Sequence, residues 1–337
     1  FQLASLIFSH AETLAQARRL LFIPGLLCYW LTGRIATEYT IASTSQMLEA
    51  ATGQWWPEAL KTLDVPRTLF PEMILPATAR SLWGKISPEV GQPLSAAGIP
   101  VFAVGSHDTA SAVAAVPAEG NDWLYLSSGT WSLLGAEVDQ PVVTPHAFKF
   151  NLTNEGGVGG KIRLLKNIAG MWLVQECRRT WAAEGREYDY AELTRMAAAA
   201  PPRTALIDPD DAAFIDAGGM PGKIAAYCKK TGQPAPADHG TMIRVCLESL
   251  AARYARVKEM LETATGKTFR RLHIVGGGSQ NDLLNQLAAD ATGIEVHAGP
   301  VEATALGNVL AQAISCGQIP SLEAGRKLIA HSAPPRV

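Results

Sequence analysis

Apolar and polar positions along this chain follow two periods, and the switches between them outline its elements. Residues 11–23 carry apolar side chains at helical spacing before Pro24, which predicts an amphipathic helix stopped by the proline. A second helix is expected to close at Thr32 and Gly33. From Gly53 to Pro100 the periodicity is lost among prolines, tryptophans and glycines, so irregular connections between short elements are expected there, with a domain junction at 98–100.

From Val101 the pattern turns regular. An apolar strand leads into Ser106, His107 and Asp108, then a run of small residues at helical spacing. An apolar hairpin follows, Trp123 to Leu126 and Trp131 to Leu134, turning on Ser127, Ser128, Gly129 and Thr130. Towards the other end, a long helix over 241–262 precedes a strand over 271–275, the run Gly276-Gly277-Gly278-Ser279-Gln280-Asn281, and a helix reaching Ala291. A strand over 293–297 and a helix over 302–315 come next. Strands alternating with helices argue α/β layering. No repeat or low-complexity segment interrupts the pattern.

Composition narrows the chemistry. Of 337 residues, 47% are hydrophobic and 18% charged, with a formal charge of -2, which suits a globular protein of about two domains. No Lys/Arg run supports binding to nucleic acid or to an anionic membrane. No apolar run approaches the roughly 18 residues that a membrane span needs. The five cysteines are scattered without C-x-x-C or Cys/His spacing, so neither a zinc site nor a disulfide framework is indicated and a reducing cytoplasm fits. Small molecules are the expected partners.

Several segments could carry chemistry, and each admits a plainer reading. Asp108, where a strand hands over to a helix, reads either as a helix cap or as a general base; His107 reads as a packed histidine or a substrate contact. The Ser127 to Thr130 bend is either an ordinary tight turn or a place where backbone N–H groups meet phosphate oxygens. The glycine triplet admits a nicotinamide fingerprint lacking its third glycine, with Glu295 as the ribose acid, or an adenosine pocket. Gln175 and Glu176 flank the apolar face of a helix after Gly170, where a solvated surface is the alternative.

In this order the segments resemble the FGGY carbohydrate kinases, most specifically their rhamnulokinase branch. The resemblance rests on Leu31 to Gly33 with Glu38, Tyr39 and Thr40; on Ser106 to Val113; on Ser127 to Ser132; on Asn154 to Gly157; on Arg163 to Ile168; on Gly276 to Asn281; and on Gly299 to Ala303. It implies the two-domain actin-like ATPase (ribonuclease H-like) sugar kinase fold, with the first domain incomplete. Residues 1–99 would be the remainder of the N-terminal sugar-binding domain and 100–337 the ATP-binding domain. The implied reaction is phosphorylation of L-rhamnulose by ATP with Mg²⁺.

Site roles follow from the same resemblance. Asp108 would be the base, with His107, Thr109 and Asn167 also contacting the sugar. Thr130, Gln175, Gly277 and Asn281 would contact the nucleotide. The chain opens on Phe1, and the Asp-x-Gly phosphate loop of these kinases has no counterpart in it, so a truncated, weakly active chain that self-associates is expected. L-fuculose, L-xylulose and a non-catalytic sugar- or nucleotide-binding relative remain alternatives.

Overall fold

The computed structural model describes residues 2–337. The helix expected over 11–23 ends early, at Ala11–Gln16. Pro24 opens the next helix, Ile23–Thr32, instead of stopping the previous one. Proline's fixed φ suits a first helical turn, where its missing N–H has no partner to lose. Gly33 ends that helix in the left-handed region, φ 75°. Its Ile23, Leu27 and Trp30, spaced i, i+4 and i+7, are exposed and form an apolar stripe.

Strands in this part are short. β1 (Thr37–Glu38) runs directly into the helix Tyr39–Ser43 and pairs in parallel with β2 (Met73–Ile74). β3 (Leu82–Lys85) and β4 (Pro100–Phe102) make an antiparallel ribbon that crosses the junction expected at 98–100.

Regular structure then takes over. Strands β5 (Trp123–Ser128), β6 (Ser132–Val138), β7 (Thr153–Gly156), β8 (Ile162–Ile168), β9 (Arg271–Val275) and β10 (Glu295–Ala298) form one sheet in the order β10-β9-β5-β6-β8-β7. β10, β9 and β5 are parallel to one another, and the β5-β6-β8-β7 side is antiparallel. Strand alternation decides the faces. Leu124 and Leu126 enter a large core with helices such as Trp172–Ala183 and His239–Thr265, while Trp123 and Tyr125 enter a second core with Asp108–Ala114, Ala303–Ser315 and Leu322–Ser332. Each fully buried leucine in these layers contributes about 1.5–3 kcal/mol.

Asp108–Ala114 is the helix that positions the site, and it is gripped closely. A Cβ added at Gly307 would stand 1.8 Å from Ser111 O, so only glycine lets Ala303–Ser315 approach this near. At the far end Arg326 donates to the carbonyls of Val113 (3.0 Å) and Ala114 (3.4 Å), and both its terminal nitrogens reach Glu137 at 2.9 Å. A guanidinium is well placed on the negative end of a helix. Among the described residues, no helix is long and apolar enough to cross a membrane.

Candidate active site

Because β5, β9 and β10 are parallel, their carboxyl ends open at one edge of the sheet, the edge where α/β proteins bind ligands. Three loops leave there. The bend after β5 is tipped by Gly129, Thr130 and Trp131; Gly276 to Asn281 follow β9; residues 299–302 follow β10. The loops are fastened together: Gly276 N–H donates to Pro300 O (3.2 Å), and a Cβ on Gly278 would lie 1.9 Å from Ser128 Oγ. Thr304 Oγ1 then reaches Asp108 O at 3.4 Å. The aspartate, the hydroxyl bend and the glycine triplet therefore share one end of the molecule.

Asp108 is the first residue of its helix, preceded by His107 as cap, so it is not itself the N-cap. Its side chain is 81% exposed. Oδ1 accepts from Thr109 N–H (2.6 Å) and Thr109 Oγ1 (3.3 Å), so the buried Thr109 steadies the carboxylate from beneath.

His107 lies between two carboxylates. Nδ1 is 3.6 Å from Asp108 Oδ1, and Nε2 is 4.0 Å from Glu155 Oε2. Burial first, then Arg163, lowers its pKa, while Glu155 and Asp108 pull the other way; the ring is held neutral near pH 7. Glu155 on β7 faces Arg163 on β8 across the ladder and accepts from its Nη2 at 2.9 Å. Arg163 Nε also donates to Gly156 O at 3.0 Å.

From the opposite side, Glu38 holds the loop before Asp108. Its carboxylate accepts from Ser106 N–H (3.1 Å), Ser106 Oγ (2.5 Å), Thr40 N–H (2.7 Å) and Thr40 Oγ1 (2.6 Å). His107 N–H in turn donates to Thr40 Oγ1 (3.1 Å). Glu38 is 1% exposed, and burial raises its pKa against the lowering effect of these donors. Gly156 N–H donates to Ser43 Oγ (2.7 Å), so the Tyr39–Ser43 helix steadies β7 as well.

The expected nucleotide residues are distributed as follows. Thr130 is exposed at the hairpin tip, and Gly277 is exposed at the start of a 3-10 turn, Gly277–Gln280. The triplet thus opens that turn, and the helix proper starts at Asp282. Asn281 caps it, with Oδ1 accepting from Leu284 N–H (3.0 Å), so this oxygen is already engaged. Gln175, half-buried, lies in the first turn of Trp172–Ala183, a helix whose leading Met171 and Trp172 N–H groups donate to Gly129 O and Thr130 O, both at 3.0 Å. Neighbouring Glu176 is fully buried and not on a solvated face; its Oε2 accepts from Gly218 N–H (2.7 Å). Asn167, for the sugar, is exposed on β8 opposite Leu133, one pair from the bend.

Glu38, Glu155 and Arg163 lie in segments that carry the family resemblance, but the sequence by itself assigns them no role. The available signal was an ionisable residue set within an apolar strand, as Arg163 is between Ile162 and Leu164. A buried charge there demands a partner.

Comparisons with known proteins bear on the whole chain. Residues 6–115 match the FGGY family of carbohydrate kinases, N-terminal domain, and residues 124–316 match its C-terminal domain. A protein named rhamnulokinase from Bacteroides thetaiotaomicron is 46% identical over 99% of this chain and 67% of its own length. Another, from Enterococcus faecalis, is 41% identical over 98% of this chain and 66% of its own length. The chain thus spans about two thirds of the length of these curated relatives. Among solved structures, a ligand-bound xylulose kinase from Lactobacillus acidophilus superposes with a TM-score of 0.77 at 18% identity, covering 100% of this chain and 66% of that one. A glycerol kinase from Plasmodium falciparum with ADP gives 0.73 at 16% identity, covering 97% and 65%. These likenesses show the two-domain sugar kinase fold. With both family domains matched and the curated relatives this similar, the chain belongs to the FGGY family of carbohydrate kinases.

Proposed function

We propose that this chain carries the base and the nucleotide-facing loops of a ketose kinase that transfers the γ-phosphoryl group of ATP to L-rhamnulose, giving ADP and L-rhamnulose 1-phosphate. The observation carrying this reading is Asp108: an exposed carboxylate, fixed by Thr109 and set at the end of the sheet where the bend and the glycine triplet meet. The substrate is taken from the relatives named rhamnulokinase, 40–46% identical over nearly the whole chain. In this reading residues 1–99 serve the sugar side and 100–337 the nucleotide side.

Phosphoryl transfer asks a protein mainly for positioning and for a base on the attacking hydroxyl. Asp108 Oδ2, the oxygen not engaged by Thr109, takes the proton of the sugar's primary hydroxyl. The hydroxyl oxygen bonds to the γ-phosphorus as the bond to the β,γ-bridging oxygen breaks, and ADP leaves. His107, Thr109 and Asn167 orient the sugar. Thr130, Gln175, Gly277 and the Asn281 turn orient the nucleotide. Among the described residues no three ligating side chains converge as a metal cage. Mg²⁺ would enter with ATP and offset the charge of its phosphates. The cytoplasm supplies ATP, and the five unpaired cysteines suit its reducing conditions.

The test is Asp108→Asn in the protein carrying this chain. General-base removal is expected to lower kcat by about 10²–10⁴-fold. Calorimetric ATP binding should persist. Turnover kept within a few-fold of wild type would assign the base elsewhere. Comparison of kcat/KM for L-rhamnulose, L-fuculose and L-xylulose tests the sugar, with L-rhamnulose expected to lead.

A further inference from the structure

We propose that Arg326 is a positioning residue for Asp108: from the far end of the Asp108–Ala114 helix it sets where that helix, and the carboxylate that opens it, stands relative to the Ser127 to Thr130 bend. What Asp108 does is taken from the kinase reading above; how it is held is not.

Every part of the guanidinium is engaged. Nη2 donates to Val113 O (3.0 Å) and Nε to Ala114 O (3.4 Å), Nη1 and Nη2 each donate to Glu137 at 2.9 Å, and Cζ lies 5.1 Å from the centre of the Trp123 ring. Glu137 belongs to β6 and Trp123 to β5, so one side chain from the Leu322–Ser332 helix fastens the Asp108 helix to two neighbouring strands. Those two strands form the hairpin that carries the bend at its tip. The base and the bend are therefore located against one reference. The origin of the arginine is fixed as well: Gly325 lets its helix press on Ala303–Ser315 so closely that an added Cβ would stand 2.1 Å from Leu310 Cδ1.

Stability alone does not account for such a residue. Arg326 is 8% exposed and the Glu137 side chain 9%. A buried ion pair can often be exchanged for apolar side chains of similar volume without loss of stability, whereas a planar, bidentate guanidinium prescribes orientation. The helix it holds is short, about 9 Å from Asp108 to Ala114 at 1.5 Å per residue, too short to absorb a displacement by bending. Glu38 and Thr40 secure Ser106 and the His107 N–H, which precede the helix, and Gly307 meets Ser111 midway. Rotation and sliding along the axis are the freedoms left, and bonds to the last two carbonyls remove both. A displacement of about 1 Å at a reacting group costs about 10²-fold in rate.

Two variants of the protein carrying this chain supply the test. Arg326→Lys keeps the charge but cannot bond Glu137 and both carbonyls together; kcat is expected to fall about tenfold or more, with KM for ATP within about twofold. Arg326→Met alone would strand Glu137, so it is combined with Glu137→Met, a pair expected to keep the wild-type unfolding midpoint and still to lose kcat. A lowered midpoint with unchanged kcat per folded molecule would overturn the proposal. In an Asp108→Asn background, Arg326→Lys should add no more than about a twofold loss, because it acts through a carboxylate already removed; losses that multiply would also overturn it. The Thr109 amide, bonded to Asp108 Oδ1 at 2.6 Å, reads the geometry without turnover: its NMR resonance should shift in Arg326→Lys. An unmoved resonance overturns the assignment whatever the kinetics. Should one variant fail to fold, the other carries both readouts, and failure of both would make Arg326 a folding residue and overturn the assignment. A shifted Thr109 resonance in a protein whose wild type phosphorylates no sugar would sink the kinase reading alone.

Discussion

Residues 2–104 and the six-stranded sheet hold the candidate site by different means. The first region has strands of two to four residues, small separate cores and an exposed stripe of Ile23, Leu27 and Trp30. Its grip on the site is polar: Glu38 and Thr40 fasten Ser106 and His107. The sheet region grips by close packing, with Gly307 against the Ser111 backbone, Gly278 against the Ser128 side chain and a large core behind. A polar clamp can fix one loop with few atoms, whereas placing three loops relative to one another needs a rigid layer.

The largest effect should come from breaking the packed side. Gly307→Leu would place a side chain where even a Cβ stands 1.8 Å from Ser111 O. A loss of about 3 kcal/mol in denaturant unfolding is expected. An unchanged midpoint would mean that the contact is not as close as described. Breaking the polar side should cost less. Glu38→Ala strips the acceptor from the Ser106 and Thr40 donors, with about 2 kcal/mol expected by the same measurement.

Effects of pH run in opposite directions in the two regions. Burial raises the Glu38 pKa above its ordinary 4.5, so the folded protein holds that proton more tightly than the unfolded chain. Its stabilisation is full below pH 4.5 and is lost as pH climbs through the raised value, a dependence that Glu38→Gln should flatten. His273, between Trp123 and His297, is lowered by burial from 6.5 to about 3, and both its nitrogens lack partners. There the unfolded chain binds the proton more tightly, so stability present above pH 6.5 is lost as pH falls towards 3. His273→Phe should remove that loss. Parallel slopes for wild type and both variants would remove the contrast.

What the sequence made legible was local. The hairpin from Trp123, the strand over 271–275 and the long helix, observed as His239–Thr265, could be read because alternation, turn residues and caps lie within a few positions of one another. Pro24 misled because the same fixed φ that stops one helix starts the next. The site's second layer stayed hidden for a different reason. Glu38 meets Ser106 across 68 positions, and Arg326 meets Val113 across 213. No local period encodes such pairs. Asp108 itself drew attention through its neighbours, yet its exposure and the Thr109 contact were visible only in three dimensions.

Gly278 sets terms for anyone reshaping the opening. Since nothing larger than hydrogen fits against Ser128 there, the turn after β9 and the tip after β5 behave as one compound surface. A side chain introduced at Gly278 would have to be matched by a change at Ser128, whereas Gly277 has open space around it and Thr130 is exposed.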